Sequence, residues 1–379
     1  MGRALALAAA LLVLSGCSVS GITSRPGFDD VMKDPQATAD EIITAAGPPD
    51  EVARSADGSL LVLWKPFIQE DSVEEFEGAT AWRLFDPQGR TVQTYSSPDL
   101  QDLWLTATGD GFLIVDNGKS MMFERAVFVD GAGTQHPVKD DRRQLATRPG
   151  DSFVATDVAR RFYRPSDRSL HRLLPEPGTA RHFVQWDGAL IDEQGALWQQ
   201  GYEGKDHWVG WSRDGGRTLT RQTLPLLQPG GTLDQPAMAV AHGVTAVLSD
   251  QVKGDAGGSV GPAYLDVVSG YGRSTHRITA ASLPFLKNVV DGGEYAVAWD
   301  LSVTTDGRVL LGDPDAGEWW VAKDPSNTAF ERLPLPRHTA YVRDLGGTLY
   351  AWGDFDDRDA TLQSSTDDGG TWSTYDVTP

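Results

Sequence analysis

Cysteine is nearly missing from this chain: Cys17 is the only one in 379 residues. An internal disulfide is therefore excluded, even in a compartment that would permit one. Lysine is scarce too, with eight residues, while Asp and Glu number 53 and the formal net charge is −20 at pH 7. Such an acidic surface repels phosphate backbones, which excludes nucleic acid as a partner. The apolar run at the amino terminus, residues 4–13, falls well short of the roughly 20 residues that cross a bilayer as a helix. The seven histidines (His136, His171, His182, His207, His242, His276, His338) are scattered, with no HExxH or His-x-His spacing. No metal site and no cofactor is expected from this pattern.

What the chain does have is turns. Forty-one glycines and 22 prolines suit a backbone that reverses often, and one eight-residue turn pattern occurs twice. Ser365-Thr366-Asp367-Asp368-Gly369-Gly370-Thr371-Trp372 fits Ser-x-Asp-x-Gly-x-Thr-Trp throughout. Ser212-Arg213-Asp214-Gly215-Gly216-Arg217-Thr218-Leu219 keeps Ser, Asp, Gly and Thr in register and ends in Leu. Gly216 and Gly369 supply the positive φ that a tight hairpin needs. Asp214 and Asp367 can accept hydrogen bonds from turn amides. Trp372 is expected to pack beneath its hairpin.

These two segments resemble the Asp-box (BNR) repeat, whose boxes sit at one strand junction in successive blades of a β-propeller. The resemblance implies an all-β fold in which Ser212, Asp214, Gly216 and Thr218, with Ser365, Asp367, Gly369, Thr371 and Trp372, are structural turn residues away from any binding face.

The amino terminus carries a separate signal. Arg3 precedes the apolar run, and Leu14-Ser15-Gly16-Cys17 closes it with a small-residue cleavage site. This resembles bacterial lipoprotein precursors. The resemblance implies removal of residues 1–16 and lipidation of Cys17, with two or more acyl chains giving a stable membrane anchor at about 0.8 kcal/mol per buried methylene. Residues 17–50 then form a tether ending in a short helix, capped near Thr38 and stopped at Gly47-Pro48-Pro49.

Runs of β-branched and aromatic residues bounded by Gly, Asp and Pro divide the remainder into units at 51–97, 101–139, 150–178, 181–225, 237–280, 295–335 and 340–379. The second unit shows four short strands at 103–107, 112–115, 126–129 and 135–138, and the last repeats the pattern. Four strands per unit is a propeller blade. Two readings follow. Residues 51–379 form seven four-stranded blades, or 51–97 is a small α+β module, similar to those of outer-membrane assembly lipoproteins, ahead of six blades.

The Asp-box family includes sialidases, which hold a substrate carboxylate with three arginines, the first in a Phe/Tyr-Arg-Ile-Pro motif. The planar guanidinium suits that task. Phe162-Tyr163-Arg164-Pro165 is the nearest match, lacking the Ile; Arg273 and Arg343 are the candidates for the other two. No Tyr/Glu nucleophile pair can be placed, because Tyr202 with Glu203 and Glu294 with Tyr295 are adjacent and face opposite ways on a strand. Gly257-Gly258-Ser259-Val260-Gly261 matches Gly-x-Ser-x-Gly, yet its flanks read as loop and not as the strand-to-helix turn a nucleophile elbow needs. The carboxylates of 354–359 read as solvated charge, since the run lacks the bending glycine of a calcium loop. No catalytic residue is assigned.

Twelve tryptophans remain to be explained. Trp319 and Trp320 are neighbours, so on a strand they face opposite sides, and one ring becomes a candidate platform for a ligand. The sequence thus points to a membrane-anchored extracytoplasmic lipoprotein whose propeller is a non-catalytic binding or scaffolding module for an envelope protein or glycan. A sialidase-like glycoside hydrolase and a cell-envelope assembly factor are the alternatives.

Overall fold

The computed structural model describes residues 30–31, 34–65, 79–97, 103–116, 125–154, 161–174, 189–203, 206–224, 232–252, 264–279, 282–283, 300–314, 317–353 and 361–377. Its strands form seven four-stranded sheets. Blade 1 holds β1 (Glu51–Arg54), β2 (Leu60–Trp64), β3 (Thr80–Phe85) and β4 (Thr91–Ser97). Blade 2 holds β5 (Leu103–Thr108), β6 (Gly111–Asp116), β7 (Arg125–Asp130) and β8 (Gln135–Pro137). Blade 3 holds β9 (Lys139–Leu145), β10 (Ser152–Val154), β11 (Arg161–Arg164) and β12 (Ser169–Leu173). Blade 4 holds β13 (Ala189–Ile191), β14 (Leu197–Glu203), β15 (Asp206–Ser212) and β16 (Thr220–Leu224). Blade 5 holds β17 (Thr232–Ala241), β18 (Val244–Val252), β19 (Tyr264–Ser269) and β20 (Ser274–Thr279). Blade 6 holds β21 (Asp300–Val303), β22 (Val309–Asp313), β23 (Glu318–Ala322) and β24 (Phe330–Arg332). Blade 7 holds β25 (Tyr341–Asp344), β26 (Leu349–Trp352), β27 (Gln363–Ser365) and β28 (Ser373–Thr374).

The strands β1, β5, β10, β13, β17, β21 and β25 touch in sequence around a centre, so each blade radiates outward from one of them. The chain is an all-β, seven-bladed propeller. Residues 51–97 are its first blade, which removes the reading of a separate module before six blades.

Six blades are antiparallel meanders in chain order; blade 3 is not. Its order is β10-β11-β12-β9, with β9 running parallel to β12. The outermost strand is laid down before the innermost one, and the unit expected at 150–178 begins at 139. Lys139-Asp140-Asp141-Arg142-Arg143-Gln144-Leu145 has no β-branched or aromatic residue, so strand propensity gives no signal there. Pairing with β12 and a cross-strand ion pair hold it instead: Arg161 Nη1 lies 2.8 Å from Asp140 Oδ1. A charged outer strand also discourages pairing with another sheet edge.

The short helix α1 (Ala39–Ala46) lies where the sequence predicts it. Thr38 caps it, with Thr38 Oγ1 accepting from the Glu41 amide at 3.3 Å and the Glu41 carboxylate accepting from the Thr38 amide at 2.8 Å. Gly47, at φ 83°, stops it. Ile42, Ile43 and Ala46 are buried in one cluster with Val62 and Trp64 of blade 1 and Tyr350, Trp352 and Val377 from blade 7 and its tail. Arg83 ties the same junction, donating to the Val377 carbonyl at 2.8 Å and to Asp40 at 2.6 Å. First blade, last blade and helix thus close the ring as one core.

Because the strands alternate in direction in the six meander blades, their turns after first and third strands leave from one end of the ring. Connections after second and fourth strands leave from the other. Aspartates close several hairpins at the first end. Asp86 Oδ1 accepts from the Gln88 and Arg90 amides, both at 2.9 Å. Asp130 Oδ1 accepts from Ala132 and Thr134 at 3.0 and 2.9 Å, and Asp192 Oδ1 from Gln194 and Ala196 at 3.1 and 2.8 Å. Aspartate here folds hairpins.

Candidate functional site

The two Ser-x-Asp-x-Gly-x-Thr segments join β15 to β16 and β27 to β28, the third and fourth strands of blades 4 and 7. Their hydrogen bonds correspond one for one. Ser212 Oγ donates to Asp214 Oδ1 at 2.8 Å and accepts from the Gly216 amide at 2.6 Å. Asp214 Oδ1 and Oδ2 accept from the Thr218 amide and hydroxyl, each at 2.8 Å. Ser365, Asp367, Gly369 and Thr371 repeat this at 2.7, 2.9, 2.8 and 2.7 Å. Those Thr218 donors hold the Asp214 carboxyl down at about 2, and Thr371 lowers Asp367 in the same way. Both carboxylates are turned on their own hairpins, at the end of the ring where the third strands of blades 4 and 7 finish. Trp372 is half-buried, and its Nε1 donates to the Pro334 carbonyl at 2.8 Å.

The three candidate arginines are not brought together. Arg164 is buried at the end of β11, where it donates to both oxygens of Asp151 (3.0 and 2.6 Å) and to the Ala146 carbonyl (2.7 Å). A guanidinium so committed cannot also clamp a substrate carboxylate, and the candidate binding role for Arg164 gives way to a structural one. Arg273 is exposed in the turn between β19 and β20, on the outer half of blade 5. Arg343 alone, on the innermost strand β25, faces a cavity, and it is ion-paired with Asp300 of β21.

Trp319 and Trp320 also change roles. Trp319 is fully buried between blades 6 and 7, its Nε1 donating to the Ala340 carbonyl at 3.0 Å. Gly312, its cross-strand partner, makes room: a Cβ there would sit 2.2 Å from the indole. Trp320 points the opposite way and packs, half-buried, on the core between blades 5 and 6. The expected opposite orientation holds, but both rings pack between blades and neither forms a platform.

A different tryptophan is available. Trp104, second residue of β5, is 46% exposed, and the other exposed large apolar side chain among the described residues is Val92. Trp104 lines a cavity of about 600 Å³ along β1, β5 and β25, bounded by Asp50, Lys65 and Gly353 where β1 begins and β2 and β26 end. The cavity therefore runs along the central channel to the end where β2 and β26 finish. Its polar wall is prearranged. Lys65 Nζ donates to Glu51 Oε1 at 2.7 Å and to the Leu103 carbonyl at 2.9 Å. Glu51 Oε2 accepts from the Leu105 amide at 2.7 Å, and Asp50 Oδ2 from the Lys65 amide at 2.6 Å. The Lys65 ammonium stands 5.7 Å from the Trp104 ring centre. A volume of this size falls in the range of roughly 300–1,000 Å³ usual for small-molecule sites.

Sequence reasoning missed Trp104, Glu51 and Lys65. Leu103-Trp104 on a strand must split between two faces, but which face meets the channel depends on ring closure. Several other expectations lie outside the described residues: the segment 1–16 with Cys17, the Gly257–Gly261 motif, Glu294 with Tyr295, and the acidic run 354–359. Among the described residues no group of three or more His, Cys, Asp or Glu could hold a metal ion, and no helix is long and apolar enough to cross a membrane.

No protein-family model matches the chain, and no curated protein matches its sequence. Solved structures resemble it in fold. Hydrazine synthase of Kuenenia stuttgartiensis is 12% identical with a TM-score of 0.47, over 83% of this chain and 94% of that one. The β-propeller domain of the Trilobed protease from Pyrococcus furiosus is 9% identical with a TM-score of 0.47, over 88% and 96%. The NanB sialidase of Streptococcus pneumoniae is 11% identical with a TM-score of 0.39, over 84% and 67%. These chains differ widely in activity, and at such identities the likeness concerns chain path alone.

Proposed function

We propose that this chain is a membrane-anchored extracytoplasmic lipoprotein, with residues 1–16 removed and Cys17 lipidated, whose propeller is a non-catalytic binding module for a cell-envelope component, a glycan or a protein. The cavity around Trp104 carries the reading. It combines an exposed indole with charged groups already paired to one another, in a concavity of about 600 Å³ walled by innermost strands of the ring. Groups engaged this way, Lys65 with Glu51 and Arg343 with Asp300, hold and orient. The anchor rests on the amino-terminal pattern of Arg3, the apolar run and Leu14-Ser15-Gly16-Cys17. The glycosidase alternative is weakened by the burial of Arg164 on Asp151.

The test is affinity purification of the lipidated chain from crosslinked native membranes beside a Cys17→Ala variant. The expected result is an envelope component enriched only with the lipidated protein, and loss of the variant from the membrane fraction. A variant that still partitions with membranes in detergent extraction removes the anchor. Equal recovery of nothing by both proteins removes the binding role.

A further inference from the structure

From the geometry of the same cavity, and resting on the binding role just proposed, we infer that its ligand is a neutral saccharide, seated with one ring face on Trp104. Three observations select this chemistry. The first is the indole itself. Trp104 is 46% exposed on the wall of a concavity of about 600 Å³, and covering an apolar surface of this kind returns roughly 25 cal/mol per Å². A pyranose has one flat face of C–H bonds that fits an indole, with hydroxyls around its edge. The second is the alternation of donors and acceptors beside the ring. Glu51 and Lys65 stand 2.7 Å apart next to Trp104, so a polar edge meets a carboxylate and an ammonium held in fixed positions by Leu105 and Leu103.

The third observation is the charge pattern among the described residues, two cations beside three carboxylates, which argues against the charged ligand classes. Lys65 and Arg343 on the wall are answered by Asp50 and Glu51 on the same wall and by Asp300 behind Arg343. An anionic sugar brings a carboxylate toward Asp50 and Glu51 where, among the described residues of the wall, the cations Lys65 and Arg343 are each already ion-paired, and desolvating a charge without a new partner is costly. A cationic ligand meets the Lys65 ammonium near the aromatic face it would need. What remains is a ligand rich in hydroxyls, without net charge, and with an apolar face.

The experiment uses the full lipidated chain in detergent micelles. Its binding to maltotriose, chitotriose and a galactose trisaccharide is measured calorimetrically and by tryptophan fluorescence, beside sialyllactose and a galacturonic acid trimer as acidic probes. At least one neutral probe binds and shifts the fluorescence; Trp104→Ala weakens it tenfold or more at an unchanged melting temperature, and Trp104→Phe stays within about threefold of the parent chain. The inference is overturned if no neutral probe binds, if an acidic one binds more tightly, or if Trp104→Ala leaves binding intact. A partner protein captured from membranes equally well by Trp104→Ala also overturns it, while leaving the binding role standing. Capture of nothing from membranes sinks that role first.

Discussion

Blades 4 and 7 carry the same hairpin chemistry in different surroundings. In both, a serine hydroxyl and an aspartate close the turn with four hydrogen bonds of matching pattern. In both, two consecutive residues take positive φ: Gly215 and Gly216 at 72° and 93°, Asp368 and Gly369 at 58° and 83°. The difference lies in what stands next to the first of these. Gly215 is pressed by the segment joining β9 to β10 of blade 3, and a Cβ there would lie 2.3 Å from the Thr147 carbonyl oxygen and 2.7 Å from its amide nitrogen. Asp368 points outward and pairs with Arg308 at 2.6 Å. A shared local motif therefore tolerates a side chain in blade 7 and forbids one in blade 4. The cause is the displaced outer strand of blade 3, whose return to the centre crosses the blade 4 turns.

The sharpest way to break this comparison is Gly215→Ala against Asp368→Ala. The first meets backbone that cannot swing aside and a left-handed conformation, and should cost roughly 3–5 kcal/mol in chemical denaturation. The second keeps the turn and gives up a surface ion pair, for about 1 kcal/mol. Equal losses at the two sites would mean that the contact with Thr147 does not shape blade 4.

A second contrast lies one strand earlier. His207, in β15 of blade 4, is fully buried, and burial together with the nearby Arg277 cation depresses its pKa to about 4. The unfolded chain, with an ordinary value near 6.5, takes up the proton first as pH falls. Stability is thus full above about 6.5 and declines as pH drops toward 4, by roughly 3 kcal/mol from this group. Urea midpoints across that window should move less in His207→Gln than in the parent chain; parallel curves would contradict the assignment.

The closing residues of the two motifs differ, Trp372 against Leu219, and both are half-buried. Trp372→Ala removes packing on the buried cluster of blades 6 and 7 and the bond to the Pro334 carbonyl, so about 1–2 kcal/mol is expected, with Leu219→Ala below that. Thermal melts of the pair rank them. The smallest effect concerns acid. Asp214 is lowered to about 2 and Asp367 is lowered as well, so each favours the fold above its ordinary value near 3.8 and loses that contribution as pH falls below it. Asp214→Asn and Asp367→Asn should both flatten the acid limb between pH 4 and 2, a result checked by acid titration of the far-ultraviolet circular dichroism.

Much of the fold was legible before any tertiary contact was known. Strand runs such as 103–107, 112–115 and 126–129 fall within β5, β6 and β7, because alternation and turn residues act over a few positions. The helix at 39–46 was legible for the same reason: Thr38, Glu41 and Gly47 are its own cap and stop. Strand β9 was not, since its residues lack strand propensity and are held by partners more than 20 positions downstream. The candidate site was legible only at Arg343. Trp319 and Trp104 look alike as residues on strands, yet one is sealed between blades and the other opens on the channel.

The sequence by itself determined the class of fold, the repeat, the helix and the hairpins, because each depends on hydrogen bonds and side-chain alternation within a few residues. Tertiary structure alone decided the number of blades, the origin of the outer strand in blade 3, the commitment of Arg164 to Asp151 and the exposure of Trp104. Those outcomes depend on which distant segments meet when the ring closes. Charge and burial at a given residue are properties of that meeting, and no local pattern encodes them.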